Sequence, residues 1–450
     1  MALPPGPSSP ASLLTMRWLR RPVQLMEQAR ERYGETFTVR LARVGELVCV
    51  SDPQSLKRLF SADRENTLPA GRTFLLEPLV GSRSLLLLEG EDHLRSRKLM
   101  LPPFHGERMR AYEGLMERIA DAELEAWPVG ERFPLHPRMQ AITLEVILRA
   151  VFGVEDDARR ERLRGLLVRM LELTESPTAQ VVGLLSRPLR RLGPYGRLIR
   201  LRDQVDAELY AQIAERRADP DAGERDDILS LLVAARFEDG EPMSDSEVRD
   251  QLMTLLLAGH ETTATALAWA FDQLFRSPET FERLLAELAD GHDSYLDAVV
   301  TETLRIRPVV PTVGRLIHSP TELGGYELPA ETAVMASIYL AHMREDTYPA
   351  PYEFRPERFL DGGPETYSWV PFGGGTRRCL GAAFASFEMK VVLRTILRRT
   401  ELRPGSKAPE EWGRRNVTLS PRTGTPAILE RRRPSKGAVS REPERAPVAG

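Results

Sequence analysis

Residues 372–381 read Phe-Gly-Gly-Gly-Thr-Arg-Arg-Cys-Leu-Gly, and the interpretation of the whole chain starts from this stretch. Three consecutive glycines allow the backbone to approach a flat or bulky group closely. Cys379 then stands just before a predicted helix, where free N–H groups and the positive end of the helix dipole favour a thiolate. A thiolate is a soft, electron-donating ligand for iron. The alternatives are a buried cysteine beside a glycine-rich turn and a phosphate-binding loop, but the latter needs the pattern G-x-x-x-x-G-K-[ST], which is absent.

The chain contains two cysteines, Cys49 and Cys379. Two cysteines exclude a disulfide-rich scaffold, a four-cysteine zinc site and a four-cysteine iron–sulfur cluster. Cys49 lies in the apolar run Leu47–Val50, which favours a small buried hydrophobic residue. Any thiolate chemistry is therefore assigned to Cys379 alone.

The composition is that of a globular protein. The 450 residues are 42% apolar and 28% charged, which argues against wholesale disorder. The net charge is −3, because 62 basic residues face 65 acidic ones, and this balance argues against a nucleic-acid partner. No apolar run predicts a membrane span, and the N-terminus lacks a signal-peptide pattern. We therefore expect a cytoplasmic protein.

Helical periodicity dominates the sequence. The strongest segment runs from Ser244 to Arg276, where Ser244 and Glu247 predict a capping box and Ser277-Pro278 ends the helix. At 1.5 Å per residue this helix would be about 50 Å long and would cross a whole domain. Further helices are predicted over Gly106–Trp127, Asp156–Leu173, Leu198–Arg217, Asp226–Phe237, Ser294–Arg307 and from just after Cys379 to about Arg399.

Strand patterns are short and few. The meander Asp346–Tyr367 is predicted to be ordered but irregular, and a late hairpin is predicted around Pro421–Pro426. We expect one mainly helical domain with small β regions over residues 1–430 and a disordered tail over residues 431–450. The predicted strands are Thr36–Leu41, Leu47–Ser51, Arg315–His318, Thr321–Leu328, Ala333–Ile338, Val417–Ser420 and Ala427–Leu429.

A second polar motif lies midway along the longest predicted helix. Residues 258–263 read Ala-Gly-His-Glu-Thr-Thr, and an acid followed by a hydroxyl inside an apolar helix is costly unless both are used or hydrated. Thr262 can donate a hydrogen bond to the carbonyl of Ala258 and bend the helix, while Gly259 leaves space beside the bend. The arrangement would open a groove for dioxygen and water. The alternative is a threonine-capped kink with an exposed glutamate.

Five positions of the cysteine stretch, Phe372, Gly375, Arg377, Cys379 and Gly381, spell F-x-x-G-x-R-x-C-x-G. This pattern strongly resembles the haem-binding signature of the cytochrome P450 monooxygenases, here of the soluble bacterial type. The resemblance implies the fold of that family, with a large helical part, a small β-rich part and haem b between two long helices. It also implies that Cys379 is the axial ligand of the haem iron. Arg377 would pair with a haem propionate, while Phe372 and Gly381 would line the cofactor.

The helix motif is similar to the [AG]-G-x-[DE]-T oxygen-activation motif of the same family. By that resemblance Glu261 relays protons, Thr262 holds the oxygen species bound there, and Ala258 lies against the haem. Protonation before the O–O bond splits is general-acid work. His260 has no partner ligand at i+4 and is interpreted as structural.

An ionic knot is implied by two further motifs. Glu302 and Arg305 resemble the E-x-x-R helix pair of the family, and their spacing places them on one helix face. Residues 356–359, Pro-Glu-Arg-Phe, resemble the P-E-R-F element whose arginine, here Arg358, joins that pair. The resemblance assigns these three residues to structural support of the cofactor rather than to chemistry.

Further haem contacts are implied at His93 and Arg97, which share a helix face in an H-x-x-x-R pattern, and at Arg315. The family uses these positions to hold haem propionates, whereas each residue seen alone would be interpreted as a surface charge. One departure is the stretch 342–346, His-Met-Arg-Glu-Asp, where the family often shows His-Arg-Asp. The remaining histidines are interpreted as structural: His105, His136, His292, His318 and His342.

The sequence therefore predicts a haem-thiolate monooxygenase that acts on a lipophilic small molecule such as a terpenoid, fatty acid, steroid or polyketide. A ferredoxin with its reductase, or a flavodoxin-type donor, would supply electrons, and Arg378 is a candidate for a basic docking face. A monomer is expected. The alternatives are a peroxygenase or isomerase of the same fold, a haem-binding sensor and a purely structural helical protein. By resemblance the substrate pocket is lined by Thr67–Leu88, with Phe74 as its main aromatic residue, and by Ser176–Pro194, Leu255–Thr263, Val309–Gly314 and Ser420–Thr423.

Overall fold

The computed structural model of the protein describes residues 3–62, 67–69, 76–104, 108–175, 193–363 and 365–434. Its α-helices are numbered α1 to α16 in chain order. They are Ala11–Arg20, Pro22–Tyr33, Pro53–Ser61, Glu77–Val80, Gly90–Met100, Arg108–Ala111, Glu113–Glu125, Leu135–Val146, Asp157–Glu175, Gly193–Ala218, Ile228–Ala234, Asp245–Arg276, Pro278–Ala289, Ser294–Ile306, Ile338–His342 and Ala382–Arg399. A π-helical turn, Ile147–Val151, continues α8.

The strands are short and are numbered β1 to β12. They form a five-stranded sheet in the order β1-β2-β8-β5-β3, a three-stranded sheet in the order β4-β12-β9, and the pairs β6-β7 and β10-β11. In the large sheet only the β2–β8 pair is parallel. The strands are Thr36–Leu41, Gly45–Val50, Thr67–Pro69, Arg132–Pro134, Thr312–Ile317, Thr321–Leu323, Tyr326–Leu328, Ala333–Ser337, Thr400–Pro404, Trp412–Arg415, Thr418–Pro421 and Pro426–Arg432.

Helix α12 forms the centre of the helical part. It runs unbroken over 32 residues, and its buried side chains include Leu256, Trp269 and Phe271. It packs against α8, α10, α14 and α16, so that most of its faces are covered. Apolar side chains all round a helix are typical of one that lies inside a domain. The mixed motif at residues 258–263 therefore sits in the interior of the fold.

Most of the predicted helices are confirmed, with bounds that differ by a few residues. The capping box is confirmed as well, because the Ser244 hydroxyl accepts from the Glu247 N–H and the Glu247 carboxylate accepts from the Ser244 N–H. The segment predicted as one helix over Gly106–Trp127 is instead divided at Tyr112 into α6 and α7. Seven helices were not predicted from the sequence: α1, α2, α3, α4, α8, α13 and α15.

The predicted hairpin around Pro421–Pro426 is wrong. Strand β11 pairs with β10, whereas β12 pairs with both β4 and β9, so the two predicted partners belong to different sheets. Strand β12 forms backbone hydrogen bonds with two strands, β4 and β9, whereas a hairpin with β11 would give it one partner. Neither β4 nor β9 is adjacent to β12 in the sequence. Strand β12 also extends to Arg432, so the first residues of the predicted tail are part of a sheet. Residues 435–450 of that tail lie outside the described part.

We expect Ser244→Ala to lower the free energy of unfolding by about 1 kcal/mol, because it removes the side-chain acceptor of the capping box. Chemical denaturation measures this change. Ser277→Ala is the matched control, since Ser277 occupies the same position before α13 but makes no capping hydrogen bond with its side chain. Equal losses in both variants would contradict the assignment of the stabilisation to the capping box.

Candidate functional site

The cysteine loop is a tight turn that leads into α16. The Cys379 N–H donates to the Phe372 carbonyl at 2.9 Å and so closes the loop on itself. A short 3-10 turn, Gly375–Arg377, lies between them. Gly373 and Gly375 both have a φ of +67°, a conformation that strains any residue with a side chain. The loop therefore needs two of its glycines for their backbone conformation.

Gly374 is required for a different reason, which is close packing. A Cβ atom at this position would lie 2.5 Å from Cδ2 of Phe60 on α3. The Phe60 ring stacks on Tyr367 with 6.4 Å between centroids, and the Arg315 guanidinium lies 5.5 Å from the same ring. The three glycines thus allow the loop to pack directly against α3. This packing brings the loop close to Arg315, a predicted site residue on another segment.

The electrostatic surroundings of Cys379 contain opposing influences. Part of Cys379 is exposed to solvent, but protein atoms occupy most of the space around it. This desolvation raises the pKa of its thiol. A hydrogen bond from the Gly381 N–H and the charges of Arg378 and Arg97 act in the opposite direction. The predicted preference for a thiolate is therefore present but is outweighed by desolvation. A metal cation would supply the missing positive charge, because a coordinating thiol is deprotonated outright.

Arg97 is the basic residue most clearly available to an anionic ligand beside the cysteine. Its guanidinium is half-buried, forms no hydrogen bond with the described residues, and is close enough to Cys379 for their charges to interact. Desolvation lowers the pKa of Arg97. A buried guanidinium without an acceptor is costly. The loop and Arg97 together therefore fit a flat, anionic cofactor that carries a metal and acidic side groups.

The other predicted propionate partners surround the same loop. Arg377 donates to the carbonyl of Leu88 at 2.6 Å, just before α5, the helix that carries Arg97 and the buried His93. Arg315 is buried on β5, where it donates to the carbonyl of Gly314 at 3.0 Å. The fold therefore gathers residues from α5, β5 and the cysteine loop.

In the α12 motif, Thr262 adopts the predicted hydrogen bond. Its hydroxyl donates to the Ala258 carbonyl at 2.6 Å, and the helix continues without interruption. Gly259 faces Ile147, whose Cδ1 would lie 3.4 Å from an added Cβ. His260 is buried and bonds through Nδ1 with the Thr143 hydroxyl at 2.9 Å. Burial lowers the pKa of His260 to about 4, so it is neutral and structural, in agreement with its prediction.

Glu261 is neither exposed nor free. Its carboxylate accepts from Gln140 Nε2 at 2.6 Å and from the Thr265 hydroxyl at 3.2 Å, and it lies 3.4 Å from both His136 Nε2 and Arg415 Nη1. Burial would raise its pKa, but the hydrogen bonds and charges of these neighbours outweigh burial and lower it to about 2. The carboxylate is therefore ionised throughout the neutral range.

Sequence reasoning missed the partners of Glu261. His136 was interpreted only as structural, and Gln140 and Arg415 were not considered. One signal was available, because His136, Gln140 and Thr143 are polar residues at spacings of four and three in a segment that is apolar at most of its other positions. Such a polar stripe indicates that α8 faces a polar part of another helix, which proves to be residues 260–265 of α12.

The three predicted members of the ionic knot are in contact. The Arg305 guanidinium donates to the two carboxylate oxygens of Glu302 at 2.6 and 2.8 Å, and Arg358 Nε donates to Glu302 Oε1 at 3.1 Å. The backbone N–H of Arg355 donates to the same oxygen at 2.9 Å. Glu302 and Arg305 are fully buried. The meander that contains Arg358 is thus attached to α14 by a carboxylate with four donors.

His342 extends the knot to the cysteine loop. The Val370 N–H donates to His342 Nε2 at 2.8 Å, so Nδ1 carries the hydrogen and donates to the Arg305 carbonyl at 3.0 Å. Val370 in turn accepts from the Gly373 N–H at 2.9 Å. Burial, followed by the charge of Arg305, lowers the pKa of His342 to about 3. A neutral histidine therefore connects the knot to the residues that precede Cys379.

Comparison with known proteins identifies this arrangement. Residues 4–425 match the sequence model of the family described as Cytochrome P450. The chain belongs to the cytochrome P450 family. It is 42% identical over 431 residues to cytochrome P450 135B1 of Mycobacterium tuberculosis, covering 94% of this chain and 90% of the relative. It is 40% identical over 432 residues to cytochrome P450 137 of the same organism, with the same two coverages.

Solved structures of cytochromes P450 share the fold. A cyanobacterial CYP120A1 with bound retinoic acid has a TM-score of 0.79 and 26% identity, covering 95% of this chain and 99% of that one. The haem domain of cytochrome P450DA has a TM-score of 0.83 and 23% identity, covering 96% and 98%. The predicted mainly helical P450 fold is confirmed. The protein is a monooxygenase-class oxidoreductase, and its family binds haem b through a cysteine thiolate.

Two parts of the predicted cytochrome P450 pocket lie outside the described residues. They are residues 70–75, which include Phe74, and residues 176–192, and His105 also lies outside. Within the described ranges, no helix is long and apolar enough to cross a membrane. The same residues contain no cluster of three or more histidine, cysteine, aspartate or glutamate side chains that could hold a metal ion.

We expect His342→Asn to make stability less dependent on pH. The unfolded chain binds a proton at this histidine near pH 6.5, whereas the folded protein does so only near pH 3. Stability from this residue is therefore complete above pH 7 and falls as the pH drops, by about 2 kcal/mol at pH 5. Asparagine keeps a donor and an acceptor but does not titrate. Denaturation midpoints at pH 7 and pH 5 measure the difference.

His318→Asn is the control for this prediction, because His318 is 44% exposed and lies on the surface. We expect its pH dependence to match that of the unmodified protein. A His342→Asn variant that loses as much stability between pH 7 and pH 5 as the unmodified protein would contradict the buried, neutral state of His342.

Proposed function

We propose that this cytochrome P450 inserts one atom of dioxygen into a lipophilic small molecule, with Cys379 as the thiolate ligand of haem b. The observation that carries the proposal is the pairing of an accessible cysteine with a half-buried arginine, Arg97, that has no hydrogen-bond acceptor among the described residues. A cofactor with a metal and a carboxylate would suit both residues, because the metal would bind the Cys379 sulfur and the carboxylate would accept hydrogen bonds from the Arg97 guanidinium.

Each residue of the site has a separate role in holding the cofactor. Arg97, Arg377, Arg315 and His93 would hold the haem propionates, and guanidinium groups suit this role because they donate in a fixed fork. Phe372 and Gly381 of the loop and Ala258 on α12 would line the flat faces, and the knot of Glu302, Arg305 and Arg358 would support the loop. The charges on Arg97 and Arg378 favour the anionic sulfur ligand.

Haem supplies the redox chemistry, and the protein supplies position and protons. Thr262 would present its hydroxyl to the oxygen site, since its hydrogen bond to Ala258 fixes the rotamer. Glu261 would pass protons towards Thr262 from the side of α8 and β10. Arg415, whose side chain is 34% exposed, contacts Glu261 on that side. Gln140 and His136 would keep the carboxylate in place between turnovers.

The proposed substrate is a lipophilic molecule, such as a terpenoid, fatty acid, steroid or polyketide. The pocket segments Leu255–Thr263 and Val309–Gly314 contain seven aliphatic side chains beside the polar residues of the α12 motif. A structural relative at 26% identity binds retinoic acid, an apolar chain that ends in a carboxylate. A panel of such compounds, titrated against the haem-loaded protein and followed by the Soret band, identifies which of them enter the site.

Electrons would come from a separate donor, a ferredoxin with its reductase or a flavodoxin-type protein. Arg378 is exposed beside the cysteine loop, and an acidic partner would be attracted to it. A monomeric protein in the cytoplasm remains our expectation. A peroxygenase, an isomerase or a haem sensor needs no proton relay, so the presence of Glu261 and Thr262 in one motif favours the monooxygenase.

We expect the reduced haem protein with carbon monoxide to show the long-wavelength Soret band that thiolate ligation produces. Cys379→His should move this band to shorter wavelength, because a neutral imidazole replaces the thiolate. Cys49→Ala is the matched control, since Cys49 is buried in the sheet and should leave the band unchanged. A variant at Cys379 that kept the long-wavelength band would overturn the ligand assignment.

We expect Thr262→Ala to uncouple electron uptake from product formation, because the hydroxyl that positions the proton supply is lost. Oxygen and reductant consumption should continue while peroxide replaces product, by roughly tenfold in the product-to-reductant ratio. Thr254→Val is the control, because Thr254 makes the same bond to the carbonyl four residues back, two turns away on α12. Full coupling in Thr262→Ala would refute the proposed role.

A further inference from the structure

Five large apolar side chains that are exposed to solvent lie on helix α1 and on two β turns that are hydrogen-bonded to it. Among the described residues, eleven such side chains are exposed, and the two most exposed are Val417 at 69% and Val44 at 63%. Three more, Leu13, Met16 and Leu19, lie on α1. Scattered exposed apolar residues need no explanation, whereas a cluster marks an interaction site. We call these five residues and the segments that carry them the α1 surface.

The exposed residues of α1 lie along one stripe of the helix. They follow one another at intervals of three residues. Each step of three residues turns the helix by about 300°, which is about 60° short of a full turn, so the two steps spread the stripe over roughly 120° of the circumference. The opposite side of α1 carries Leu14, which is fully buried. Helix α1 is therefore attached to the protein by one face, and its outward face carries the three apolar side chains together with Ser12 and Arg20.

Two β turns extend this stripe on either side of α1. The β1–β2 turn carries Val44 and is tied to α1 by a hydrogen bond from the Ala42 N–H to the Thr15 hydroxyl at 2.8 Å. The β10–β11 turn carries Val417 and is tied to α1 by a hydrogen bond from Arg414 Nη1 to the Trp18 carbonyl at 3.2 Å. The five apolar side chains thus belong to three segments that are bonded together.

Positive charges outnumber negative ones around the α1 surface, where the exposed Glu46 beyond the β1–β2 turn is paired with Arg40. Residues 1–26 contain Arg17, Arg20 and Arg21 and no aspartate or glutamate. The two turns add Arg43 and Arg414, both exposed. For a protein with a net charge of −3, this is a local excess of positive charge. Apolar side chains surrounded by arginines are typical of segments that lie on anionic lipid surfaces.

We propose that the α1 surface docks this protein on an anionic phospholipid bilayer. The apolar side chains would enter the headgroup region, and the arginines would pair with lipid phosphates. Helix α1 has ten residues and is about 15 Å long, half of the roughly 30 Å hydrocarbon core, so it lies on the membrane and does not span it. A second copy of the chain is a poorer occupant, because it would bring the same arginines to the interface.

This surface is independent of the proposed chemistry, because none of its residues belongs to the site around Cys379. Its consequence for function is nevertheless direct. A lipophilic substrate is concentrated in the bilayer, and an enzyme that docks there samples the substrate at that higher concentration. The proposal therefore holds whichever lipophilic compound the cytochrome P450 oxidises.

Sedimentation of the full-length, haem-loaded protein with vesicles tests the proposal. The vesicles are made either of phosphatidylcholine alone or of phosphatidylcholine with phosphatidylglycerol. We expect the protein to pellet with the anionic vesicles and to be released by high salt. Arg20→Gln combined with Arg21→Gln should weaken this binding about 25-fold, and Met16→Ser combined with Leu19→Ser should weaken it roughly tenfold.

Two double variants serve as controls. Val129→Ser with Val168→Ser replaces exposed apolar residues elsewhere, and Arg110→Gln with Arg118→Gln replaces exposed arginines elsewhere. Both should bind as the unmodified protein does. Each variant is accepted only if its carbon monoxide spectrum and its melting temperature match those of the unmodified protein, so that a folding defect is not scored as lost binding.

Three outcomes would overturn the proposal. The first is a protein that stays in the supernatant with anionic vesicles at low salt. The second is equal loss of binding in the control and test variants, which would indicate nonspecific adsorption. The third is a dimer, measured without lipid, that Met16→Ser combined with Leu19→Ser dissociates, because the surface would then be an interface between copies of the chain.

Discussion

The buried carboxylate of Glu302 is the interaction on which the rest of the cytochrome P450 site depends. A carboxylate removed from water is costly unless every lone pair is used, and Glu302 accepts from Arg305, Arg358 and the Arg355 N–H. Removal of any donor would leave an uncompensated charge in a site that excludes solvent. The meander contains little regular structure, but it is held in one position because Arg358 must stay within hydrogen-bond distance of Glu302 on α14.

The position of the meander decides the position of the cysteine loop. His342 accepts from Val370 and donates to the Arg305 carbonyl, so the segment before the loop is bonded to the same helix as Glu302. Gly374 then lies against Phe60, which leaves no room for a side chain. The loop is thus fixed from two sides, by hydrogen bonds from one and by packing from the other. A ligand that must meet iron within a few tenths of an ångström needs such a support.

Features with local causes could be predicted from the sequence, and features set by distant partners could not. The bounds of α12 follow from Ser244, Glu247 and Ser277-Pro278, which all lie at its ends. The cysteine loop carries its own glycines. The hairpin prediction was wrong because β12 pairs with strands at residues 132–134 and 400–404, which no local pattern reveals. The partners of Glu261 were missed for the same reason, since Gln140 and Arg415 are 121 and 154 residues away.

Those distant partners restrict how the proposed proton relay could work. A carboxyl group with a pKa of about 2 is protonated in only about one molecule in 10⁵ at pH 7, so Glu261 cannot act as a stored acid. To pass a proton, the Glu261 carboxylate would have to change its contacts to Gln140, His136 or Arg415 as the proton arrives and again as it leaves. The contacts that hold the Glu261 carboxylate in place therefore also oppose its protonation.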